Sequence, residues 1–242
     1  MYKNKKIGLV IRAHNEENFI SGVVTALPVF IDRVYLVNDA STDRTLEIIN
    51  NFSKQDGRIK VVNHNIRRGA GYAAISGQKQ ALAENNDIIV MLDGDGQMDT
   101  TLLPAFLDPL CSGEADYVKG NRFSCKEHLR GMSGWRIFGN RILTILNRIS
   151  SGYWKLSDPQ NGYAAVTRST LQKLDLDIMN KGFAYENDML VKLNVIGAKV
   201  VEIAHPAIYK GQLSKIRYSQ FIFQTSGLLL IDFFWRIRKK YL

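Results

Sequence analysis

Asp87-Ile88-Ile89-Val90-Met91-Leu92-Asp93-Gly94-Asp95-Gly96-Gln97 is the stretch that decides the fold. Its apolar run is continuous and does not alternate with polar residues. That pattern marks a strand buried on both faces, as in a parallel sheet covered by helices. Similar runs occur at Ile7–Ile11, Val34–Val37 and Ile59–Val62. Helical segments alternate with them: Glu17–Leu27, a segment capped by Ser41-Thr42-Asp43 and running to Phe52, and Ala70–Ala83. The Ser, Thr and Asp oxygens suit the orphan amides of a helix start. Strand-helix alternation of this kind predicts an α/β layered domain.

The second half is less regular. Helices are expected over Leu102–Leu110, Arg136–Ile149, Arg168–Leu174 and Tyr185–Ile196, and strands over Asp116–Lys119, Tyr163–Thr167 and Lys199–Ile203. Ligand sites in such sheets lie beyond the carboxyl ends of the strands. The sequence has no internal repeat or low-complexity tract.

The chain has 242 residues, enough for one full core. Its net charge is +9 and unevenly placed. Lys119–Lys155 carries eight basic residues against Glu127, and Lys210–Leu242 seven against Asp232. Such stretches fit either an anionic partner or a solvated, solubilising face. No nucleic-acid-binding motif accompanies them, and a basic nucleic-acid-binding protein is the weakest reading. The two cysteines, Cys111 and Cys125, form no Cys-x-x-Cys pair and suit a reducing compartment. Met1–Lys6 leads straight into a strand-like run without a signal-type apolar region, so export is not expected.

Asp93 and Asp95 crowd two carboxylates just past a buried strand. A Mg²⁺ or Mn²⁺ ion, which prefers oxygen ligands and often uses one or two carboxylates plus substrate phosphates, would relieve the repulsion. Gln97 can add a carbonyl oxygen. The same residues also suit a polar turn that merely closes the strand. Two more polar strand ends share that edge: Arg12-Ala13-His14-Asn15-Glu16-Glu17 and Asn38-Asp39-Ala40-Ser41-Thr42-Asp43. Asp39 is a candidate acceptor for a base or ribose, and Asp43 a helix cap. Arg68-Gly69-Ala70-Gly71 follows the third apolar run, where glycines admit either a nucleotide or close packing. Glu186 and Asp188, two apart on one helix, face different directions. Either could act as a base toward a saccharide hydroxyl. The four histidines show no metal-ligand spacing.

Taken in order, Ala13-His14-Asn15-Glu16-Glu17, Asn38-Asp39-Ala40-Ser41-Thr42-Asp43, Arg68-Gly69-Ala70-Gly71 and Asp93-Gly94-Asp95-Gly96-Gln97 resemble the family 2 glycosyltransferases of the GT-A fold. Gly120-Asn121-Arg122-Phe123, Ser157-Asp158-Pro159-Gln160-Asn161-Gly162-Tyr163, Tyr185-Glu186-Asn187-Asp188 and Ser214-Lys215 narrow the resemblance to the dolichol- or polyprenol-phosphate sugar synthases. It spans roughly residues 7 to 217, and the ordered set is more specific than any one motif. The chain departs where Asn38 stands, a position often Asp in that branch.

The resemblance implies a GT-A fold with a mostly parallel central sheet flanked by helices. It implies inverting transfer of a sugar from a GDP- or UDP-linked donor to a polyprenyl or dolichyl phosphate. Transfer to a saccharide hydroxyl is the alternative. It further implies Asp93, Asp95 and Gln97 as ligands of Mg²⁺ or Mn²⁺. Ala13, Asn15, Glu16, Asp39, Arg68, Gly71, Asp93, Gly94, Asn161 and Glu186 would line the nucleotide sugar. Asp95, Arg122, Arg136 and Lys215 would serve catalysis, with Arg130 as a further cation. A phosphate monoester is largely a dianion at neutral pH and needs cations more than a base.

At the C-terminus, Phe221–Trp235 is strongly apolar but interrupted by Gln224, Thr225, Ser226 and Asp232. It is too short to span a bilayer. Followed by Arg236-Ile237-Arg238-Lys239-Lys240, it suits an amphipathic helix in an anionic membrane interface. Trp135–Leu146, with Arg136, Arg141 and Arg148, suits a second. The expected division is a GT-A domain over residues 1–217 and a membrane-interface segment over 218–242. A peripheral position on the cytoplasmic face of a membrane follows, with oligomer formation open. A helix buried against the domain or at a subunit interface is the competing reading of the same segment.

Overall fold

The computed structural model describes residues 1–125, 134–206, 208 and 218–242; the side chains of residues 135, 136 and 218–220 lie outside that description. In chain order the elements are β1 (Ile7–Ala13), α1 (Ile20–Thr25), β2 (Arg33–Asp39), α2 (Thr45–Gln55), β3 (Ile59–His64), α3 (Ala70–Ala83), β4 (Ile88–Asp93), α4 (Leu103–Cys111), β5 (Tyr117–Asn121), α5 (Gly134–Ser151), β6 (Ala164–Thr167), α6 (Arg168–Leu171), α7 (Tyr185–Val195), β7 (Val200–Ala204) and α8 (Tyr218–Tyr241).

The strands form one sheet in the order β3-β2-β1-β4-β6-β5-β7. β6 runs antiparallel to both β4 and β5, and the other pairings are parallel. Every residue of β1 is buried, as its uninterrupted apolar run predicted. Leu9, Ile11, Val34 and Leu36 face α1, α2 and α4 through Ile20, Ile49 and Phe106. Val10, Tyr35 and Val37 face α3 and α7 through Ala73, Ala74 and Met189. Each fully buried aliphatic or aromatic side chain contributes about 1.5–3 kcal/mol, so these two cores fix the sheet as a rigid plate.

Two helix starts move from their sequence-based positions. Glu17–Leu27 contracts to Ile20–Thr25, because Asn15 takes a left-handed φ of 55° and a turn from Glu16 to Phe19 precedes the helix. α2 begins at Thr45, whose amide donates to Asp43 Oδ1 at 3.0 Å. The parallel strands β1, β2 and β4 deliver Ala13, Asp39 and Asp93 to one edge. The antiparallel β6 lets the loop before it, which carries Asp158, Asn161 and Gly162, return to that same edge.

Candidate active site

Asp95 stands at the centre of this edge. Burial and the neighbouring Asp93 raise its carboxyl to about 7, against the amide of Gln97, which donates to Oδ1 at 3.0 Å. Glu16 adds a further repulsive charge. Burial and a like charge disfavour the ionised form of such a carboxyl, and either a proton or a cation relieves it. The donor set of Asp95, Asp93 and the Gln97 amide oxygen is hard and oxygen-only, which fits Mg²⁺ or Mn²⁺. Among the described residues, no three His, Cys, Asp or Glu side chains group to hold a metal by themselves. A metal on Asp93, Asp95 and Gln97 would leave positions for oxygens of a donor diphosphate, a common arrangement for such ions.

Asp93 has a partner that the sequence did not announce. Arg12, on the neighbouring strand and in register with it, places Nε 2.8 Å and its second terminal nitrogen 2.6 Å from Asp93 Oδ1. Its other terminal nitrogen lies 2.7 Å from Glu186 Oε1. Burial opposes the charge on Arg12, but Asp93 and Glu186 together hold it protonated. Gly162 makes this possible: a Cβ there would stand 2.5 Å from the guanidinium and 2.9 Å from Asp93 Oδ2. Gly94 likewise packs where a Cβ would lie 2.9 Å from Ile20 and 3.3 Å from Ala13.

Asp39 is buried and already serves the protein. Its Oδ1 accepts from the Arg68 amide at 2.9 Å and pairs with His64 Nδ1 at 3.0 Å; its Oδ2 accepts from the Gly69 amide at 2.8 Å. Burial would raise its carboxyl, but these hydrogen bonds keep it below the ordinary carboxylate value. Asp39 thus shapes the loop that leads into α3. Asn15 joins the first two strand ends, donating its amide to Ser41 Oγ at 3.0 Å and accepting from the Thr42 amide at 2.8 Å. The Glu16 amide donates to Thr45 Oγ1 at 2.8 Å. Ala13 is buried beside them.

Arg68 is exposed and stacks over Tyr72, its guanidinium 4.7 Å from the ring centre. Gly71 packs against the loop of residues 180–182: its amide donates to Gly182 O at 3.2 Å, and a Cβ would stand 2.4 Å from Asn180 O. This close approach of two backbones accounts for a glycine at position 71.

The Gly120–Phe123 and Ser157–Tyr163 motifs meet in a second polar cluster. Arg122 grips Asp158 with two nitrogens, at 2.7 and 2.9 Å. Burial alone would raise the Asp158 carboxyl, but Arg122 holds it below its ordinary value. Asn161 is buried. It donates to Asp158 Oδ2 at 3.2 Å, pairs with His205 Nε2 at 2.6 Å and receives the Lys119 ammonium on its carbonyl. Burial lowers Lys119 to about 8, against the attraction of Glu186, Asp158 and Glu202. Arg122 and Asn161, expected to touch substrate, are thus held in place by neighbouring side chains.

Glu186 and Asp188 do face apart. Glu186 meets Arg12, whereas Asp188 pairs with Lys192 and accepts the Asn180 amide at 2.7 Å. Arg130 and Lys215 lie outside the described residues, as does the Arg136 side chain.

α8 packs on α5 and α7 with an inverted pattern. Its inward stripe is Thr225, Leu229, Asp232 and Arg236. Outward stand Phe223, Leu230, Ile231 and Phe234, each more than 60% exposed. Phe138, Ile145 and Ile149 of α5 are exposed as well. The basic run is split. Arg236 donates to Ser150 O at 2.6 Å and Ile149 O at 3.1 Å, and Lys240 to Asn194 O at 3.0 Å. These two cations cap the C-termini of α5 and α7, as helix dipoles favour. Arg238 and Lys239 remain exposed. Among the described residues, no helix is long and apolar enough to cross a membrane.

Residues 9–175 match the model of glycosyl transferase family 2. The chain belongs to that family of sugar-transferring enzymes. It is 28% identical over 210 residues to a UDP-N-acetylglucosamine–dolichyl-phosphate N-acetylglucosaminyltransferase of Methanococcus voltae, covering 79% of this chain and 83% of the relative. It is 30% identical over 176 residues to an undecaprenyl-phosphate mannosyltransferase of Micrococcus luteus, covering 70% and 69%. The fold matches glucosyl-3-phosphoglycerate synthase of Mycobacterium tuberculosis, solved with Mn²⁺, UDP and phosphoglyceric acid. That match has a TM-score of 0.70 and 21% identity, covering 96% of this chain and 78% of the other.

Proposed function

We propose that this enzyme transfers a sugar, with inversion, from a UDP- or GDP-linked donor to a polyprenyl or dolichyl phosphate at the cytoplasmic face of a membrane. The observation that carries this reading is the state of the two candidate bases. Glu186 is paired with Arg12, and Asp188 with Lys192. Both carboxylates are thus engaged by cations within the protein rather than directed at an acceptor. A saccharide hydroxyl must lose its proton during attack, whereas a phosphate dianion arrives ionised and needs no base. The relatives named for dolichyl- and undecaprenyl-phosphate transfer support the same acceptor class.

In this reaction the acceptor phosphate oxygen attacks the anomeric carbon from the face opposite the leaving group. The bond from that carbon to the donor diphosphate breaks, and the nucleoside diphosphate leaves with the electron pair. Asp93, Asp95 and Gln97 would hold the metal, which when bound would supply positive charge to the leaving diphosphate. Asp39, Asn15 and Arg68 shape the nucleoside side of the cleft with Ala13, Glu16, Gly71 and Gly94. Arg122 and Asn161 brace the acceptor side; Arg136 and Lys215, proposed from the sequence as cations for the acceptor phosphate, lie outside the described side chains. Residues 218–242 form the membrane-interface segment. The outward faces of α5 and α8 present Phe138, Ile145, Phe223, Leu230, Ile231 and Phe234 to lipid, with Arg238 and Lys239 toward anionic headgroups.

The test is incubation with a panel of UDP- and GDP-sugars, a polyprenyl phosphate and MnCl₂, followed by mass spectrometry of the lipid. A hexose or N-acetylhexosamine added to the lipid phosphate is expected. Products found only with saccharide acceptors would overturn the reading.

A further inference from the structure

We propose that Gln160 and Asn187 are positioning residues, which lock the loop of residues 157–163 to α7 and α5 and so place the acceptor against the donor. The inference rests on that part of the proposed function that puts this loop on the acceptor side, and not on which acceptor is used. Gln160 and Asn187 form a reciprocal amide pair. Gln160 Nε2 donates to Asn187 Oδ1 at 2.8 Å, and Asn187 Nδ2 donates to Gln160 Oε1 at 3.0 Å. Asn147 of α5 donates to the same Asn187 Oδ1 at 3.1 Å. Asn147 and Asn187 have no solvent exposure. Away from water, such amides keep the partners they have, and the pair fixes both distance and plane.

Other ties of the loop run to the sheet. The amides of Ser157 and Asp158 donate to Glu202 of β7 at 2.8 and 3.0 Å. Asp158 pairs with Arg122, just past β5, and Asn161 O receives the ammonium of Lys119 from β5. On the helix side, the Thr144 hydroxyl of α5 reaches Ser157 O at 3.3 Å, at the start of the loop. Gln160 ties the middle of the loop to the helices, two residues before Gly162. There the chain runs so close to the donor side that a Cβ on Gly162 would stand 2.9 Å from Asp93 Oδ2. A displacement of Gln160 therefore changes the spacing between this loop and the end of β4. The amide chain begins on the inner side of α5, where Asn147 is buried while Ile145 and Ile149 are exposed. It thus joins the back of the face assigned to lipid with the loop assigned to the acceptor.

The test is steady-state transfer by the full chain, with one active nucleotide sugar, Mn²⁺ and polyprenyl phosphate in vesicles. Calorimetry of the matching nucleoside diphosphate with Mn²⁺ runs beside it. Gln160→Leu is expected to lower kcat/KM for the acceptor by about tenfold or more, the scale of a small misplacement of reacting groups. Its affinity for the nucleoside diphosphate is expected to stay within about twofold of wild type, since a loop on the acceptor side can shift without closing the donor side. Gln160→Leu combined with Asn187→Leu is expected to cost no more than Gln160→Leu alone, because the two amides act as one unit. If Asn187→Leu does not fold, Gln160→Leu decides by itself. Wild-type kcat/KM in Gln160→Leu would overturn the proposal. So would an equal loss of nucleoside diphosphate affinity, or losses that multiply in the double variant. A wild-type enzyme that ignores polyprenyl phosphate but glycosylates a saccharide would overturn the acceptor reading instead. The same comparison, run with that saccharide, still decides the role of Gln160 and Asn187.

Discussion

Arg122 Nε lies 2.7 Å from Oδ2 of Asp158, and Asp158 has no solvent exposure at all. A buried carboxylate in this position depends on its cation. Removing one partner of such a pair costs about 3–5 kcal/mol, because the remaining charge is stranded. Arg122→Met should therefore lower thermal stability clearly. Arg122→Met combined with Asp158→Leu should recover much of it. A melt that leaves Arg122→Met at the wild-type temperature would show that Arg122 does not hold Asp158, and would return it to the substrate.

Asp95 makes the second prediction. Asp95→Ala removes a carboxylate that burial and Asp93 disfavour in the apo state. Apo stability should stay level or rise, while sugar transfer falls by at least about 10²-fold. Transfer that persists in this variant, or in excess EDTA, would contradict the metal assignment.

A third prediction concerns pH and the α7–α8 contact. Burial and Asp188 raise Asp232 from its ordinary value to about 7, against Lys192, whose Nζ lies 3.3 Å from Oδ1. A carboxyl raised on folding makes the folded state bind more protons than the unfolded one. Its stabilising contribution is present below the unfolded value and is lost as pH rises through the folded value. Melting temperature should fall between about pH 4 and pH 7 on this account. Asp232→Asn should flatten that limb and cost little at pH 8. A large loss of stability for Asp232→Asn at pH 8 would show instead that the ionised pair with Lys192 holds α8 in place.

The outward face of α8 makes a fourth. Phe223→Ser with Phe234→Ser removes two large exposed rings without touching the inward stripe. Liposome flotation with anionic vesicles should drop several-fold while the melt stays unchanged. Wild-type flotation in the double variant would argue that this face meets protein rather than lipid.

Much of this architecture was legible in the sequence because buried parallel strands leave long apolar runs. β1, β2, β3 and β4 were found that way, and α3 matches its expected span of Ala70–Ala83. The acidic strand ends were legible for the same reason: polar residues directly after a buried strand need a purpose. Arg12 was not legible, because an arginine within a strand end looks like any other surface cation. Only the parallel register of β1 with β4, and the return of α7, show that it joins Asp93 to Glu186. The basic run after Trp235 divides in a way that composition does not show. Composition counted Arg236 and Lys240 as membrane-facing charges, but helix geometry turns them onto the ends of α5 and α7. Asn161 and Arg122 carry motif positions whose side-chain partners, His205 and Asp158, only the fold reveals.

The central claim is that the acceptor is already ionised when it attacks. One competition measures it: polyprenyl phosphate and the matching unphosphorylated polyprenol, at equal concentration in the same vesicles, with one active nucleotide sugar and Mn²⁺. The account predicts that all transferred sugar is found on the phosphate, and that Glu186→Gln keeps this preference. Sugar attached to the polyprenol hydroxyl at a comparable rate would contradict it.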